Sequence, residues 1–199
     1  MTDRREQIAD AAISVIARAG LRGLTHRAID VELDLPNGST SYYFRTKRAL
    51  LEATVRRLTE RSRRDFESAF ASSDAAPTVD GMAHFAAEIL DRLLGERIDD
   101  IRARYALTVE LANDPELHPL LARSLFSRPR AVELLRALGA TDPNTAGADF
   151  VSVVEGAVFD RFAGAQSLDG LEAGTPASVD QLAGVLGAYL RGSTPSVHD

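Results

Sequence analysis

A proline at residue 36 separates two short helical patterns, and this separation constrains the fold more than any other feature of the 199-residue sequence. Thr25 is of a residue type that caps helices, and helical spacing follows over HRAIDVEL, residues 26–33. Proline disfavours helical geometry at the residue before it but suits the first position of a new helix. The sequence therefore predicts a break of three or four residues and a second short helix from Pro36 to Phe44. Two short helices around a tight turn form a helix-turn-helix.

Helical patterns also flank this region on both sides. Residues 4–19 place five small or aliphatic side chains on one helical face: Ile8, Ala12, Val15, Ile16 and Ala19. Gly20 follows in the position of a C-terminal cap, because glycine adopts the left-handed conformation without strain. Thr46 is predicted to cap a fourth helix that runs to about residue 72. The inner side of that helix is predicted to carry four aliphatic residues: Leu50, Leu51, Val55 and Leu58.

The remainder of the chain has helical periodicity and neither a strand pattern nor an internal repeat. SSDAAPT, residues 72–78, has the composition of a linker. Pro129 is predicted to kink or divide the helical pattern of residues 114–139, and STPSVHD at the C-terminus is predicted to be a frayed tail. The predicted fold class is all-α, with an N-terminal three-helix helix-turn-helix domain followed by a larger helical domain.

Charge is distributed unevenly along the chain. It has 23 basic and 29 acidic residues and a net charge of −6, yet residues 1–64 contain 13 basic residues against 8 acidic ones. A basic N-terminal part on an acidic body indicates that only the N-terminal part meets a polyanion. The alternative is an uneven surface charge without function.

Composition and motifs argue against several other classes of protein. Cysteine is absent, which excludes disulfides, thiolate catalysis and cysteine zinc sites. The sequence has no run of about 18 apolar residues and no signal-peptide pattern, so we expect a cytoplasmic protein without a membrane partner. It also has no Ser/His/Asp arrangement, phosphate-binding loop or metal-ligand cluster. No catalytic residue, metal or cofactor is therefore predicted.

PNGSTSYYFRTKR, residues 36–48, has the side chains expected of a helix that enters the major groove of DNA. The small residues GSTS allow the backbone to approach the groove, and their hydroxyl and N–H groups can bond phosphate oxygens. Asn37 can read an adenine edge, and the Thr40 methyl group can pack on a thymine methyl group. Tyr42 and Tyr43 offer rings for packing and hydroxyls for phosphates.

Phe44 is predicted to be buried, and the residues after it are cationic. Lys47 and Arg48 fall in the first turn of the predicted fourth helix, where the helix dipole disfavours cations by roughly 0.3–1 kcal/mol each. A DNA phosphate would offset this cost. Three cations are therefore predicted to lie over the DNA backbone: Arg45, Lys47 and Arg48.

LTHRAIDVELDLPNGSTSYYFRTKRALL, from Leu24 to Leu51, resembles the DNA-binding domain of the TetR family of bacterial transcriptional regulators. The residues that carry the resemblance are Thr25, Arg27, Ile29, Leu35, Gly38, Tyr43, Phe44 and Lys47. The chain departs from the family pattern at Asp30 (commonly alanine), Leu33-Asp34 (a small residue and glycine), Pro36 (serine or threonine) and Ser41 (tyrosine). These departures concern which base sequence is recognised.

The resemblance implies a palindromic double-stranded DNA operator as partner and a set of DNA-binding residues: Arg4, Thr25, Arg27, Asn37, Gly38, Ser39, Thr40, Ser41, Tyr42, Tyr43, Arg45 and Lys47. It also implies a domain organisation. The helix-turn-helix domain would span residues 1–46 and a connecting helix residues 47–72. A ligand-binding and dimerisation domain would then span residues 73–193, with a flexible tail at residues 194–199.

The resemblance further implies a homodimer formed by the last two long helices, at roughly residues 143–167 and 175–191. Small residues would allow these helices to approach closely: Gly156, Ala157, Gly184 and Gly187. A small-molecule effector would bind after the linker, with nine candidate residues: His84, Phe85, Arg104, Tyr105, Thr108, Phe126, Glu155, Phe159 and Phe162. The aromatic residues among them are alternatively plain core. Glu155 and Asp160 either recognise a cationic or hydroxylated ligand or pair with an arginine.

These expectations converge on a ligand-responsive transcriptional regulator, a repressor that releases its operator when the small molecule binds. Two other functions compete with this interpretation. A helical enzyme or ligand carrier would leave the charge distribution unexplained. An architectural DNA-binding protein would bind through phosphate contacts with little sequence preference.

Overall fold

A computed structural model of the chain describes residues 3–71, 78–124 and 126–195, and the described residues form helices without any strand. The ten α-helices in these ranges are α1 Arg4–Gly23, α2 His26–Glu32, α3 Ser39–Tyr43, α4 Lys47–Ala71, α5 Val79–Gly95, α6 Ile98–Glu110, α7 His118–Ala122, α8 Arg128–Ala137, α9 Pro143–Phe162 and α10 Pro176–Ser193. A short 3-10 helix, Ala165–Leu168, lies between the last two. The predicted all-α fold class is confirmed.

The predicted caps of the N-terminal helices are present. The Thr25 hydroxyl accepts a hydrogen bond from the Ala28 N–H at 3.0 Å, and the Thr46 hydroxyl accepts one from the Ala49 N–H at 3.1 Å. Gly20 has the positive φ expected of a cap, at 66°. The helix nevertheless resumes after this kink and ends at Gly23, three residues later than the predicted cap.

The turn of the helix-turn-helix is longer than predicted, because α3 begins at Ser39 and not at Pro36. Gly38 lies at the N-cap position with a φ of 93°, a conformation that glycine adopts without strain. Asp34 has a φ of 50°, which aspartate tolerates better than most residues. Asp34 thus adopts the left-handed conformation at a position where the TetR pattern often has glycine.

The chain forms two compact units, and the first holds the described residues up to Asp65 together with those from Ile98 to Ser124. In this unit α1 packs against both α2 and α6. Its largest fully buried side chains are aliphatic: Ile8, Ile13, Ile16, Leu24, Ile29, Leu50, Ile101, Leu107 and Leu121. The predicted inner side of α4 is confirmed, because its four aliphatic residues are each at most 6% exposed: Leu50, Leu51, Val55 and Leu58.

The second unit contains α5, α8, α9 and α10, with α10 packed along α5 and α8 packed on α9. Pro129 lies in the first turn of α8 and so separates this helix from α7, as the sequence indicated. Gly187 faces Ala83 of α5, 3.5 Å from the position that a Cβ atom would occupy. Its predicted role in approaching a second subunit is therefore wrong, because α5 of the same chain covers it.

The compact units do not follow the predicted domain boundaries, because residues 98–124 pack with the N-terminal helices. Of the predicted linker, only Thr78 is described, and its hydroxyl caps α5 by accepting from the Gly81 N–H at 3.1 Å. Residues 72–77 of the linker and residues 196–199 of the predicted tail lie outside the described residues. The domain boundaries stay a prediction.

Candidate nucleic-acid interface

One side of α3 and the turns that flank it carry exposed polar and aromatic side chains. We call this side the outer face of α3, and it consists of Asn37, Ser41, Tyr42, Arg45 and Lys47, all of which are exposed. Tyr42 is 81% exposed, and its ring meets the Tyr43 ring edge-on with 5.1 Å between centroids. A large aromatic side chain in full contact with solvent is available to pack against another molecule.

Phe44 anchors the end of α3 on its inner side. It is 5% exposed, as predicted, and the Arg5 guanidinium lies 5.1 Å from its ring centroid. The Phe44 carbonyl oxygen is 2.6 Å from the His26 Nε2 of α2. These contacts tie the end of α3 to α1 and α2, and this fixes the orientation of the outer face.

Thr40 points inward, which contradicts its predicted contact with a thymine. Its side chain is completely buried, and its hydroxyl donates to the Asp30 carboxylate at 2.6 Å. A methyl group without solvent exposure cannot pack on a base. Thr40 is therefore a structural partner of Asp30 in this arrangement.

Asp30 occupies backbone N–H groups at the start of α3 that were predicted to bind phosphate. Its carboxylate accepts from the Gly38 N–H at 2.7 Å and from the Thr40 N–H at 2.8 Å. The Ser39 N–H donates to the Pro36 carbonyl at 3.0 Å. These three N–H groups are therefore engaged within the protein, and their predicted contact with phosphate is wrong.

The Asp30 carboxylate is 3% exposed and remains ionised. Burial raises the pKa of this carboxyl, but the hydrogen bonds from Thr40 and Gly38 outweigh burial and hold the pKa below its ordinary value. Sequence reasoning noted Asp30 only as a departure from a common alanine. The signal that could have identified it is an acidic residue next to Ile29, on the buried side of a short helix.

Arg48 does not project freely over a DNA backbone as predicted. Its guanidinium pairs with the Glu52 carboxylate at 2.8 Å, with that of Glu116 at 2.6 Å and with that of Asp114. The hydrogen bond from Arg48, together with those from the Leu117 and Glu116 N–H groups, lowers the pKa of Asp114 to about 2. The cation in the first turn of α4 is thus balanced by carboxylates of the same compact unit.

Lys47 remains exposed, and its ammonium donates to the Leu21 carbonyl at 3.1 Å. Arg4, Thr25 and Arg27 are also exposed. Thr25 and Arg27 line an open groove of ≈ 430 Å³ between α1 and α2. Arg4, Thr25, Arg27 and Lys47 therefore lie on accessible surface of the first unit.

The nine predicted effector-binding residues are divided between the two compact units. Arg104, Tyr105 and Thr108 lie on α6 in the first unit, with the buried Arg104 guanidinium 5.1 Å from the Tyr105 ring centroid. The Thr108 hydroxyl donates to the Arg104 carbonyl at 2.8 Å. The other six residues belong to the second unit: His84, Phe85, Phe126, Glu155, Phe159 and Phe162.

Within the second unit, the structure brings Phe159 and Phe162 together, with their rings edge to face and 5.5 Å between centroids. His84 is exposed and lies 3.6 Å from the Glu88 carboxylate, one helical turn away. Asp160 accepts from the Gln166 side chain at 2.8 Å, so it holds the turn after α9.

The described residues do not have the features of two other kinds of site. Their histidine, aspartate and glutamate side chains form no group of three or more that could hold a metal ion. None of the helices in residues 3–71, 78–124 and 126–195 is both long and apolar enough to cross a membrane.

Several solved structures are similar to this chain over nearly its whole length. A member of the TetR family from Streptomyces coelicolor A3 is 28% identical, with 94% of this chain and 98% of that one covered and a TM-score of 0.69. The multidrug binding protein EbrR, in complex with imidazole, is 28% identical over 100% of both chains with a TM-score of 0.63. A transcriptional regulator from Rhodococcus sp. Rha1 is 22% identical, with 97% of this chain and 99% of that one covered and a TM-score of 0.76. This similarity supports the fold alone. No curated protein matches the chain.

Two family descriptions match different parts of the sequence. Residues 8–54 match "Bacterial regulatory proteins, tetR family", which is the region that contains α2 and α3. Residues 77–192 match "Tetracyclin repressor-like, C-terminal domain", and this match alone spans more than half of the chain. The chain therefore belongs to the TetR family of bacterial transcriptional regulators, with an N-terminal helix-turn-helix for DNA and a C-terminal ligand-binding domain.

Proposed function

We propose that this protein is a dimeric cytoplasmic repressor that binds a near-palindromic operator through the outer face of α3 and releases it when a small molecule binds. The observation that carries the proposal is the exposed outer face, in which Tyr42 is 81% exposed. Asn37, Ser41 and Tyr42 would meet base edges, because the second helix of a helix-turn-helix enters the major groove. The mechanism requires no bond chemistry.

Cations around α3 would supply most of the binding free energy. Arg45 and Lys47 follow α3 directly, while Arg4 of α1 and Arg27 of α2 are exposed, and the exposed Thr25 precedes α2. Phosphate contacts of this kind fix register and orientation but carry no sequence information. They also make affinity fall with salt, because each neutralised phosphate releases counterions.

Dimerisation would use the open sides of α9 and α10. Gly156 of α9 and Gly184 of α10 are exposed, and a Cβ atom added at either would meet nothing within 4 Å. Val185 is 38% exposed beside Gly184. Small residues on two long helices allow a second copy to pack closely, and a two-fold dimer would present two recognition helices to half-sites about one DNA turn apart.

An aromatic cation is the effector class that we favour. EbrR has been crystallised with ethidium as well as with imidazole, and in the ethidium complex it is 29% identical to this chain over 94% and 98% of the two chains. In this chain the paired rings of Phe159 and Phe162 lie on the same helix as Glu155. Aromatic rings and a carboxylate are the groups that bind such a cation.

Release requires that the effector bind two states of the dimer with different affinity. The state that binds the effector more tightly would hold its recognition helices at a spacing that no longer matches successive major grooves. Operator affinity and effector affinity are then coupled by the same factor in both directions. An effector with equal affinity for both states would release nothing.

The decisive experiment is selection of genomic fragments by the purified protein at ~0.15 M salt against excess random DNA. We expect a few fragments that share a palindrome. Lys47→Ala should then weaken binding to all fragments similarly and reduce the salt slope by about one. Recovery without a shared sequence would indicate a non-specific DNA-binding protein and would contradict the proposal.

The effector class is tested by titrating the protein with ethidium and following its fluorescence. Glu155→Gln should weaken ethidium binding, because the variant lacks the carboxylate but keeps the side-chain shape. Asp149→Asn is the matched control, since Asp149 is an exposed acidic residue of the same helix. Equal losses of ethidium affinity in the two variants, or no loss in either, would contradict a role for Glu155.

A further inference from the structure

The buried carboxylate of Asp30 in α2 controls the start of α3. One oxygen accepts from the Thr40 N–H at 2.8 Å and from the Thr40 hydroxyl at 2.6 Å, and the other accepts from the Gly38 N–H at 2.7 Å. All three donors lie at the N-terminal end of α3. The carboxylate thus acts as a helix cap that reaches α3 from a different helix.

Such a cap matters because α3 is only five residues long and its N-cap residue is Gly38, which has no side chain to cap it. A helix of this length is not stable alone, so its position depends on tertiary contacts. Hydrogen bonds to an ionised acceptor are stronger than neutral ones. Asp30 therefore supplies a strong local constraint on where α3 begins and how it is rotated.

The rotation decides which side chains face outward. With Thr40 held against Asp30 and fully buried, its neighbour Ser41 and the next residue, Tyr42, are exposed. Successive helical residues are about 100° apart, so a turn of α3 about its axis would move all of these side chains together. The outer face is defined by the same contact that buries Thr40.

We propose that Asp30 is a positioning residue for DNA recognition. It fixes the rotation of α3 so that Ser41 and Tyr42 meet the bases. Sequence discrimination depends on this contact, while general affinity for DNA depends on the surrounding cations. The inference rests on the proposed sequence-specific DNA binding.

Asp30→Asn is the informative substitution, because it keeps the size of the side chain and replaces one acceptor oxygen with an N–H donor. That donor would oppose the Gly38 or Thr40 N–H group, so α3 would lose part of its cap. Thr40→Val removes only the hydroxyl hydrogen bond and keeps the shape, whereas Thr40→Ser retains the hydroxyl. We expect Asp30→Asn to displace the start of α3 most, Thr40→Val to displace it less and Thr40→Ser to displace it least.

The matched control is Asp142→Asn in the second unit. Asp142 caps α9 by accepting from the Asn144 and Thr145 N–H groups, both at 3.2 Å. Loss of this cap lowers stability in a similar way but does not touch α3. The comparison separates an effect on recognition from an effect on folding.

The test measures, for each variant, the ratio of affinities for the palindrome selected by the wild type and for a scrambled duplex, at a temperature where all variants are folded. We expect Asp30→Asn to reduce this ratio by about tenfold or more, which corresponds to the loss of one correctly read base pair. Affinity for the scrambled duplex should stay within about twofold, because phosphate contacts are unchanged. Thr40→Ser and Asp142→Asn should leave the ratio unchanged.

Hydrogen exchange of the Gly38 and Thr40 amides gives a second readout that needs no DNA. Faster exchange in Asp30→Asn, together with the reduced ratio, would support the inference. Faster exchange with an unchanged ratio would overturn it, because Asp30 would then serve folding alone. Unchanged exchange would also overturn it. If the wild type selected no shared sequence, the proposed function and the inference would both be wrong. If the wild type selected a palindrome but the Asp30 and Thr40 variants kept the wild-type ratio, only the inference would be wrong.

Discussion

Two buried aspartates, Asp30 in the first compact unit and Asp91 in the second, accept hydrogen bonds from residues at very different distances along the chain. Asp30 in the first unit bonds to Thr40 and Gly38, ten and eight residues away. Asp91 in the second unit is 5% exposed, accepts from the Ser178 hydroxyl and accepts from the Gly174 N–H at 2.8 Å. These partners are 87 and 83 residues away.

The second network also contains a buried cation. Arg161 is 8% exposed and donates to the Ser178 hydroxyl at 2.8 Å, to the Leu171 carbonyl at 3.1 Å and to Gln181 at 3.2 Å. Ser178 thus links Arg161 of α9 with Asp91 of α5. The first network positions one short helix, whereas the second network joins three long helices. We therefore expect the first to matter for recognition and the second for stability.

Asp91→Ala should produce the largest change in stability. It removes two hydrogen bonds and takes the carboxylate out of the buried network that Ser178 connects to Arg161, and breaking a buried network of this kind costs about 3 kcal/mol or more. Urea unfolding followed by circular dichroism measures the loss. Asp80→Ala is the control, because the Asp80–Arg191 pair is exposed and such pairs contribute roughly 0–1 kcal/mol. A similar loss in both variants would mean that the Asp91 network is not a main source of stability.

Gly147→Ala should be the next largest effect, and it tests the long-range packing of the second unit. A Cβ atom added at Gly147 of α9 would lie 2.7 Å from the Val132 backbone nitrogen of α8. The two helices would have to separate, at a cost of about 1–3 kcal/mol. The measurement is the same urea unfolding.

Gly192→Ala in the last turn of α10 is the control for this packing prediction. A Cβ atom at Gly192 would meet nothing within 4 Å. Alanine there should stabilise the helix by about 0.5 kcal/mol, because glycine is a poor helix former. A destabilising Gly192→Ala or a neutral Gly147→Ala would contradict the assignment of the close approach between α8 and α9.

The same difference in sequence distance explains what could be predicted from the sequence. The caps at Thr25 and Thr46 and the aliphatic side of α4 depend on residues within one or two helical turns, and all were predicted correctly. The burial of Phe44 follows from the same local pattern. Such features require only helical periodicity and side-chain type.

The errors concern residues whose partners lie on other elements. Thr40 was assigned to a base because small hydroxyl residues suit a groove, but Asp30 of α2 turns it inward. Arg48 was assigned to phosphate because a cation is unfavourable at a helix start, but Asp114 and Glu116 balance it from 66 and 68 residues away. The sequence offers a signal for a buried carboxylate at Asp30, but that Thr40 contacts it, and that Asp114 and Glu116 reach Arg48, follows only from the tertiary fold.

Thr40→Val should have a smaller effect on stability, and it tests how local the first network is. Loss of one hydrogen bond to a buried, ionised carboxylate costs about 1.5 kcal/mol. In the double variant Asp30→Asn/Thr40→Val, the two losses of stability should not add, because the two side chains contact each other. The losses from Thr40→Val and Asp91→Ala should add in the double variant, because the two residues belong to different compact units. Additivity within the Asp30–Thr40 pair would mean that the two side chains do not stabilise each other.

Asp114→Asn should have the smallest effect, because its partner Arg48 is 42% exposed and solvent weakens the ion pair. The Arg48 hydrogen bond, together with those from the Leu117 and Glu116 N–H groups, lowers the pKa of Asp114 from 3.8 to about 2 in the folded protein. The stabilisation is therefore fully present above the unfolded pKa of 3.8 and is lost as pH falls through the folded pKa of about 2. The difference in free energy of unfolding between wild type and Asp114→Asn should stay constant from neutral pH down to that unfolded value and shrink below it. Urea midpoints at a series of pH values check this, and a difference that grew on acidification would show that Asp114 is not held ionised by Arg48.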